Sequence, residues 1–341
     1  MLLFLLACKT DPAAECPYGD PPPSGAPDES TGVVVVGAGP AGLAAAWELE
    51  QAGTSYLLFE REDTVGGAAV WAGGNILFAG SPEQATAGVT DSPATLLAEW
   101  QEMTGGDPTA PWVQAWANNA VPDVHDWLAG MGLTFSLSEI LPEGGSVPRI
   151  HRTDGEGQGI VDAIASELDS SRTHLGRELV GLVCDGGRVA GARWREGTTE
   201  GWTSADSVVM ATGGFLRDLD RVREERPAWA DVSLYQSSSP LADGAGLALI
   251  EAAGGATTHL GAVGLYAHGT PDYRQPGTDA ELLLIDLSDT LWVDSSGARF
   301  LDESRVVSFE AGSTVAALSG GSAWILWDAD VDLAIRDPLV E

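Results

Sequence analysis

The first sixty residues alternate apolar runs with one helical stretch. Residues 33–36 are four consecutive valines, a run typical of a strand that is buried on both faces of a parallel sheet. Residues 43–52 predict a helix that Gly53 closes, and residues 55–59 predict a second strand that ends at Glu60. This order of strand, helix and strand indicates the opening unit of an α/β fold.

Helical spacing dominates residues 83–137. Helices are predicted over residues 94–103 and 112–131, and prolines mark their breaks or first turns. We expect His125 to be a surface histidine or a core histidine with satisfied nitrogens. Four tryptophans are expected to fill the core between the helices rather than to form a stacking platform: Trp100, Trp112, Trp116 and Trp127.

The period changes to two after a predicted helix over residues 160–168. Residues 178–183, 188–195 and 202–204 predict an antiparallel meander, and residues 207–210 predict another buried strand. The chain therefore combines a parallel sheet, a helical insertion and a meander.

Composition limits the partners of the protein. The length of 341 residues allows roughly two domains. The 50 acidic and 17 basic residues give a formal charge of −33, which repels phosphates, so we predict no nucleic-acid partner. Lys9 is the only lysine, which leaves no catalytic lysine for the folded part. Three cysteines, at positions 8, 16 and 184, are too few and too scattered to predict a disulfide scaffold or a metal site.

The amino terminus has features of an export signal. Residues 1–7 are apolar and end at Cys8, in a pattern that fits a bacterial lipoprotein box, so Cys8 is a predicted lipid anchor. Residues 11–31 are rich in Pro, Gly, Ser and acid and predict a disordered linker. We therefore expect a periplasmic or outer-membrane lipoprotein. The alternative is a frayed apolar terminus on a cytoplasmic protein.

A glycine motif, GAGPAG, occupies residues 37–42 between the first strand and the first helix. In this context the first glycine permits a tight turn, the second lets the backbone approach a pyrophosphate, and the third lets helix and strand pack closely. The helix N-terminus offers N–H groups to phosphates, and the acid after the second strand can accept from ribose hydroxyls. The predicted dinucleotide contacts are Gly37, Gly39, Pro40, Ala41, Gly42 and Glu60. The alternative is an ordinary glycine turn.

Further motifs resemble one family of flavoproteins. Residues 60–67 (EREDTVGG), 72–75 (AGGN), 211–214 (ATGG), 243–246 (DGAG) and 297–303 (GARFLDE) follow one another in the order typical of that family. Together they make the chain similar to the FAD-dependent oxidoreductase 2 family, which contains fumarate reductase and succinate dehydrogenase flavoproteins and 3-ketosteroid dehydrogenases. The resemblance adds these predicted FAD contacts: Arg61, Gly66, Gly67, Ala72, Gly73, Gly74, Val180, Thr212, Gly213 and Asp243.

The resemblance implies a fold, a cofactor and a reaction. The fold is α/β, with a Rossmann-like FAD-binding domain over residues 32–262 and a partial α+β capping domain over residues 263–341. FAD is expected to be non-covalent, because Gly67 stands where succinate dehydrogenases carry the histidine that attaches it. The reaction is hydride transfer between flavin N5 and a C–C or C=C bond next to a carbonyl or carboxylate of a small-molecule substrate. Electrons are expected to come from, or go to, a quinone or a redox protein.

The same resemblance supplies candidate catalytic residues. His268 stands where a substrate-binding histidine is expected. The proton-delivering arginine of fumarate reductases corresponds to Val307, and the nearest cation is Arg305. Ketosteroid dehydrogenases use tyrosines for acid–base work, for which Tyr266 and Tyr273 are candidates. The predicted catalytic set is His268, Arg305 and Tyr266.

Three questions stay open from the sequence. Residues 147–152 (VPRIHR) lie either near the flavin or its substrate pocket, or in a solvated basic turn. The chain ends before the final strand and glycine-rich helix of the family, so we expect a fragment or a decayed flavoprotein. Accordingly, the alternative function is a non-catalytic flavin-binding protein, and a third, weaker alternative is a simple NAD(P)-dependent dehydrogenase.

Overall fold

The computed structural model describes residues 20–236, 238–275, 281–285, 287–303, 309–328, 330 and 334–336. Contacts divide the chain into two compact units. The first comprises the residues up to Gly213 with Gly246–Gly255, and the second comprises Gly214–Ala245 with the residues from Ala256 onward. The predicted FAD-binding domain over residues 32–262 therefore contains segments that group with the second unit, and its boundaries stay a prediction.

The described chain contains both strands and helices. The strands are β1 (Glu29–Val36), β2 (Tyr56–Phe59), β3 (Asn75–Leu77), β4 (Phe135–Leu137), β5 (Ile150–Thr153), β6 (Thr173–His174), β7 (Arg177–Asp185), β8 (Arg188–Glu196), β9 (Thr199–Met210), β10 (Gly269–Pro271), β11 (Glu281–Ile285), β12 (Leu291–Val293), β13 (Trp324–Leu326) and β14 (Ala334–Arg336). The α-helices are α1 (Pro40–Gln51), α2 (Pro82–Thr86), α3 (Pro93–Thr104), α4 (Pro111–Ala120), α5 (Asp126–Gly130), α6 (Glu156–Ala165), α7 (Leu219–Glu225), α8 (Ala245–Ala252) and α9 (Phe309–Ala316).

A six-stranded sheet in the order β6-β2-β1-β9-β8-β7 forms the centre of the first unit. The strands β6, β2, β1 and β9 are parallel. Val34 and Val36 of β1 pack into one apolar cluster, whereas Val35 packs into another with Leu43 of α1 and Val161 of α6. Both faces of the sheet are thus covered, which explains the unbroken valine run. The predicted α/β class is confirmed.

The meander is continuous with the parallel sheet through one strand. β7, β8 and β9 pair antiparallel, while β9 also pairs parallel with β1. The sequence predicted separate strands over residues 202–204 and 207–210, but the structure joins them in the single strand β9. The reason is that β8 pairs with residues 199–204 and β1 pairs with residues 203–205 and 207–210, so the two sets of partners overlap and keep the strand continuous.

The helical insertion carries its own three-stranded sheet, in the order β3-β5-β4. The prediction that all four tryptophans fill the core was wrong for two of them. Trp112 is 70% exposed and Trp116 is 42% exposed. Trp127 packs edge-on against Trp47 of α1 with ring centroids 5.4 Å apart, as expected for a core residue. An apolar residue at helical spacing predicts a helix face, but not what covers that face.

The segment before the valine run is partly ordered, so the linker prediction over residues 11–31 was wrong at its end. β1 begins at Glu29, because Glu29, Ser30 and Thr31 pair with β9. The Glu29 carboxylate also accepts a hydrogen bond from the Arg177 guanidinium at 2.7 Å. Residues 1–19, with Cys8, lie outside the described part of the chain.

Cys184 of β7 forms a disulfide, although three cysteines did not predict a disulfide scaffold. The other two cysteines, Cys8 and Cys16, both lie outside the described residues. Asp20, the first described residue, bridges to Val183, and its carbonyl accepts the Cys184 N–H at 2.9 Å. Asp20 is therefore held against the edge strand of the sheet.

The second unit contains a three-stranded sheet, β10-β11-β14, and the antiparallel pair β12-β13. Leu284, Leu287 and Trp292 form its buried centre. β13 ends at Leu326 and pairs antiparallel with β12. Within the part of the chain that the structure describes, no helix is long and apolar enough to cross a membrane.

Candidate functional site

The glycine turn after β1 is closed by backbone contacts that exclude any side chain. Gly37 has φ +98°, and a Cβ on it would overlap the carbonyl oxygen of Ala211. A Cβ on Gly42 would overlap the carbonyl oxygen of Gly37. Both positions therefore require glycine. The turn places the start of α1 directly after it.

The side of the turn at Gly39 is open. Gly39 precedes α1, Pro40 occupies the first helical position, and no side chain caps the helix. A Cβ on Gly39 would find its nearest neighbour, the Gly66 carbonyl oxygen, only at 3.8 Å. The Gly66 N–H donates to the Ala38 carbonyl at 2.8 Å, which keeps the 66–67 glycine pair beside the turn. Glycine backbone and an uncapped helix N-terminus fit a pyrophosphate.

Glu60 is buried at the end of β2, and one of its carboxylate oxygens bonds to the turn while the other bonds to the following segment. Oε2 accepts the Ala38 N–H at 2.7 Å, and Oε1 accepts the Glu62 N–H at 3.0 Å. The acid is therefore fixed against the glycine turn, where the sequence predicted a ribose contact. Arg61 lies beside it, with Nε 3.3 Å from the Glu62 carboxylate.

The ATGG segment over residues 211–214 begins directly after β9. The Ala211 N–H donates to the Val36 carbonyl at 2.8 Å, so this segment lies against the end of β1. Thr212 packs on α8, where a Cβ on Gly246 would overlap its side chain. Gly213 has φ +80° and no atom within 4 Å of its Cβ position. The structure thus brings Thr212 and Gly213 to the same end of the sheet as Gly37.

Asp243 and Val180 are two further predicted FAD contacts. Asp243 belongs to the second unit and accepts the Ala245 N–H at 3.1 Å. Val180 lies at a register shift between Leu179 and Gly181 in the β7–β8 pairing. Their roles as FAD contacts stay predictions.

The 72–75 segment is clamped to the turn before α6. Gly74 has φ +64°, and a Cβ on it would overlap the Thr153 hydroxyl. The Thr153 N–H donates to the Gly74 carbonyl at 3.1 Å, and the Gly157 N–H donates to the Ala72 carbonyl at 3.0 Å. This clamp leaves Gly73 on the surface of a cavity. A flat ring can approach such a backbone closely.

The cavity beside Gly73 has a volume of about 590 Å³. The sequence predicted Gly73 but did not find most of its other lining residues, because they come from short strands and turns with weak periodic signal. The lining residues are Gly73, Asn75, Thr134, Phe135, Ser136, Arg152, Thr153, Asp154 and Glu156. Arg152 belongs to the 147–152 segment, whose predicted place near the flavin or its substrate pocket stays a prediction.

Arg149, in contrast, is buried and ion-paired. Its guanidinium contacts the Asp91 carboxylate at 2.6 and 2.8 Å and also pairs with Glu99. Burial alone would raise the pKa of Asp91, but hydrogen bonds from Arg149 and Gln84 bring it below its usual value. The alternative of a solvated basic turn is therefore wrong for Arg149.

His151 and His125 share a buried polar network. Nε2 of His151 lies 2.6 Å from the Ser81 hydroxyl, and Nδ1 lies 2.8 Å from the Arg149 carbonyl. Burial lowers the pKa of His151. His125 lies between Glu83, at 3.1 Å, and Asp126, at 2.8 Å, as expected for a satisfied core histidine. The network holds His151 of β5 on the face opposite Arg152.

The predicted catalytic residues belong to the second unit. The Nε2 atom of His268 is buried and has no hydrogen-bond partner among the described residues, and burial lowers the pKa of His268. Tyr266 is 49% exposed, and its ring centroid lies 5.7 Å from that of His268. Arg305 lies outside the described residues. The orphaned nitrogen leaves His268 available to bind a ligand.

Arg299 is held by its neighbour. Its Nε lies 2.9 Å from the Glu303 carboxylate, which also accepts the Trp292 N–H at 3.1 Å. The hydrogen bond from Arg299 lowers the pKa of Glu303 to about 2. In the described part of the chain, no group of three or more His, Cys, Asp and Glu side chains is arranged to hold a metal ion.

Comparison with known proteins identifies the family. Residues 32–334 match the model of the FAD binding domain family. A KsdD-like steroid dehydrogenase of Mycolicibacterium smegmatis is 30% identical over 304 residues, which cover 78% of this chain and 56% of the relative. A fumarate reductase (cytochrome) of Shewanella frigidimarina is 31% identical over 321 residues, which cover 90% of this chain and 53% of the relative. The chain spans about half the length of these curated relatives.

A solved structure agrees in fold. The 3-ketosteroid-delta4-(5alpha)-dehydrogenase from Rhodococcus jostii, in complex with 4-androstene-3,17-dione, superposes with a TM-score of 0.73 at 22% identity. The superposition covers 92% of this chain and 69% of the Rhodococcus jostii chain. The site and fold define a dinucleotide-binding flavoprotein. The chain belongs to the FAD binding domain family, and its cofactor is FAD.

Proposed function

We propose that this chain is the FAD-binding part of an oxidoreductase that transfers hydride between FAD and a carbon–carbon bond next to a carbonyl or carboxylate. The observation that carries the proposal is the convergence of the 37–42 turn, the 66–67 glycine pair and the 211–213 segment at one end of the sheet. The named activities of the two relatives, a steroid dehydrogenase and a fumarate reductase, support the bond type.

The residues of the first unit bind and orient the cofactor in this proposal. The amides at the start of α1, with Gly39, hold the pyrophosphate, and Glu60 accepts from a ribose hydroxyl. Gly73 and Gly74 offer backbone to the flavin ring. Bound FAD supplies the hydride-transfer chemistry at that ring. Binding is non-covalent, because Gly67 has no side chain through which to attach it.

The residues of the second unit serve the substrate. His268 has an orphaned buried nitrogen and would bind a polar group of the substrate. Tyr266 is a candidate proton donor or acceptor. Arg305 is also proposed as a proton donor or acceptor, on sequence grounds alone. A quinone or a redox protein is the proposed electron partner.

We also propose that the chain works outside the cytoplasm, anchored through Cys8. The disulfide at Cys184 supports the location, because disulfides persist in oxidising compartments. If Cys8 carries a lipid on its sulfur, the disulfide partner of Cys184 must be Cys16. Labelling with a radioactive fatty acid tests the anchor. Loss of label in Cys8→Ser supports it, and no label in the parent chain contradicts it.

A visible absorption spectrum of the purified chain, followed by heat release, tests the proposed function. We expect the two flavin bands, and free FAD in the supernatant after denaturation. Bleaching of the bands by an electron donor, and their return with an oxidising substrate, would support an enzyme. FAD that no donor reduces would favour the alternative, a non-catalytic flavin-binding protein. A colourless protein that binds no added FAD would contradict both.

A further inference from the structure

Three hydrogen-bond donors form a row across the sheet beneath the cavity. Arg152 lies in the central strand β5, with Asn75 of β3 opposite it on one side and Ser136 of β4 opposite it on the other. All three line the cavity. Residues directly opposite on neighbouring strands point to the same face. A guanidinium, a carboxamide and a hydroxyl are therefore presented side by side.

Arg152 differs from the other arginines that the structure describes in this unit. Arg149, Arg177 and Arg193 each pair with carboxylates. No ion pair or side-chain hydrogen bond of Arg152 is formed with any described residue. In a chain with a formal charge of −33, an arginine without a carboxylate partner is unexpected. Its charge is available to a bound anion.

The row is rigidly supported from below. His151 lies between Ile76 and Leu137 on the opposite face of the same strands and is fully buried. Its two ring nitrogens are held by Ser81 and by the Arg149 carbonyl. A binding group on a fixed strand loses little entropy when its ligand arrives.

The position of the row relates it to the flavin. Asn75 directly follows Gly73 and Gly74, which are predicted to lie along the flavin ring. Hydride transfer requires the substrate to lie close to that ring. Two acids, Asp154 and Glu156, line the same cavity beyond the end of β5. They would repel a second carboxylate on the same ligand.

We propose that Arg152, with Asn75 and Ser136, binds one carboxylate of the substrate, and that Asp154 and Glu156 select a monocarboxylate over a dicarboxylate. Planar, bidentate recognition of carboxylates is the usual task of arginine. The inference rests on the proposed function for the placing of the substrate beside the ring. It names a substrate class and the residues that select it.

Ligand-observed NMR on the full chain tests this proposal with crotonate, its neutral amide crotonamide, and fumarate. We expect Arg152→Gln to weaken crotonate binding by about tenfold or more and to leave crotonamide binding unchanged. Arg152→Lys should retain part of the affinity. Arg188→Gln, a charge loss on β8 outside the cavity lining, is the matched control and should bind crotonate as the parent chain does.

Three results would overturn the proposal. Crotonate binding that is equal in Arg152→Gln and the parent chain removes the role of Arg152. Fumarate binding that is tighter than crotonate binding would contradict the selection by Asp154 and Glu156. If these acids do select against a second carboxylate, the double variant D154N/E156Q should bind fumarate more tightly than the parent chain does. A change of the flavin spectrum in Arg152→Gln with unchanged crotonate binding assigns Arg152 to the cofactor.

The FAD content of each sample is measured separately by absorbance. A chain that binds no FAD contradicts the proposed function, while its crotonate titration still decides the role of Arg152. A chain that holds FAD but shows no effect of Arg152→Gln contradicts only the inference. The two failures are therefore distinguishable.

Discussion

Glu60 connects two functions in one side chain. Its carboxylate accepts N–H groups from Ala38 and Glu62, which fixes the glycine turn, and the same group is the predicted ribose acceptor. We expect Glu60→Ala to raise the dissociation constant for FAD by about tenfold to a hundredfold, since a hydrogen bond to a charged group contributes roughly 1.5–3 kcal/mol. Quenching of flavin fluorescence measures this constant on apoprotein.

Two companion variants separate binding from folding in that experiment. Glu60→Gln keeps one acceptor oxygen and should retain more affinity than Glu60→Ala. Asp63→Ala, at an exposed acid three residues further along, is the control and should bind FAD normally. Normal FAD affinity in Glu60→Ala with an unchanged melting temperature would contradict the assigned role.

His151 makes stability depend on pH. Burial holds its pKa below the ordinary value of about 6.5. The unfolded chain therefore binds a proton first as the pH falls below about 6.5, and the free energy of unfolding decreases in that direction. The Glu83 carboxylate, 3.8 Å away, opposes this shift, while His125 adds to it.

We expect the urea midpoint to fall between about pH 6.5 and pH 5, and to fall less steeply in His151→Gln. His174 and His268, whose pKa values burial also lowers, leave a residual slope in the variant. His259→Gln, at an exposed position of the second unit, is the control. Equal slopes in His151→Gln and the parent chain would refute the assignment to His151.

At the scale of elements, the cavity depends on how the 72–75 segment meets the start of α6. Gly74 and Gly88 have similar left-handed backbone, with φ +64° and +71°. A Cβ on Gly74 would overlap Thr153, whereas Gly88 has open space within 4 Å. A comparison of alanine at Gly74 with alanine at Gly88 therefore separates the cost of backbone strain from the cost of steric overlap.

Alanine at each of the two glycines tests this. We expect Gly88→Ala to cost about 1–2 kcal/mol through backbone strain alone. Gly74→Ala should cost roughly 1–3 kcal/mol more, since the clamp must open to accommodate the methyl group. Urea unfolding gives both values. Equal losses would show that Thr153 and the Glu156 backbone both move aside without cost.

Much of the element pattern could be predicted from the sequence. The valine run, the glycine turn and the meander are strong local signals, and each was found close to its observed position. α6 was predicted from residue 160 but begins at Glu156, a residue with φ +57°, because contacts with the 72–75 segment fix the turn before it. The continuity of β9 also depends on partners far along the chain, which local periodicity does not contain.

The cavity shows the same limit. The sequence indicated Gly73 and the arginines of residues 147–152, but it did not distinguish Arg149, which is buried against Asp91, from Arg152, which faces the cavity. Arg149 precedes β5 and Arg152 lies within it, so the face of Arg152 is known only once the pairing of β5 with β3 and β4 is known. The role of Arg305 stays a prediction, since it lies outside the described residues.

At the scale of the whole molecule, a disulfide cross-links β7, the edge strand of the central sheet, through Cys184. We expect Cys184→Ser to lose about 2–4 kcal/mol of stability, and reductant to produce the same loss in the parent chain. Reductant should leave the variant unchanged, which is the internal control. Peptide mapping without reduction identifies the partner as Cys8 or Cys16. Only free thiols in the map would contradict the bond.

The pairing of β1 with β9 has a consequence during synthesis on the ribosome. Glu29 and Thr203, which contact each other in the finished sheet, are 174 residues apart. The backbone of Ala211 packs against the glycine turn at Gly37, so the turn lacks this contact until residue 211 has left the ribosome. Contacts between residues so far apart in sequence form slowly. Until β9 is available, one edge of β1 has no partner strand and is prone to aggregation. We therefore expect newly made chains to need chaperones to avoid aggregation at a stage of synthesis before they can bind the cofactor.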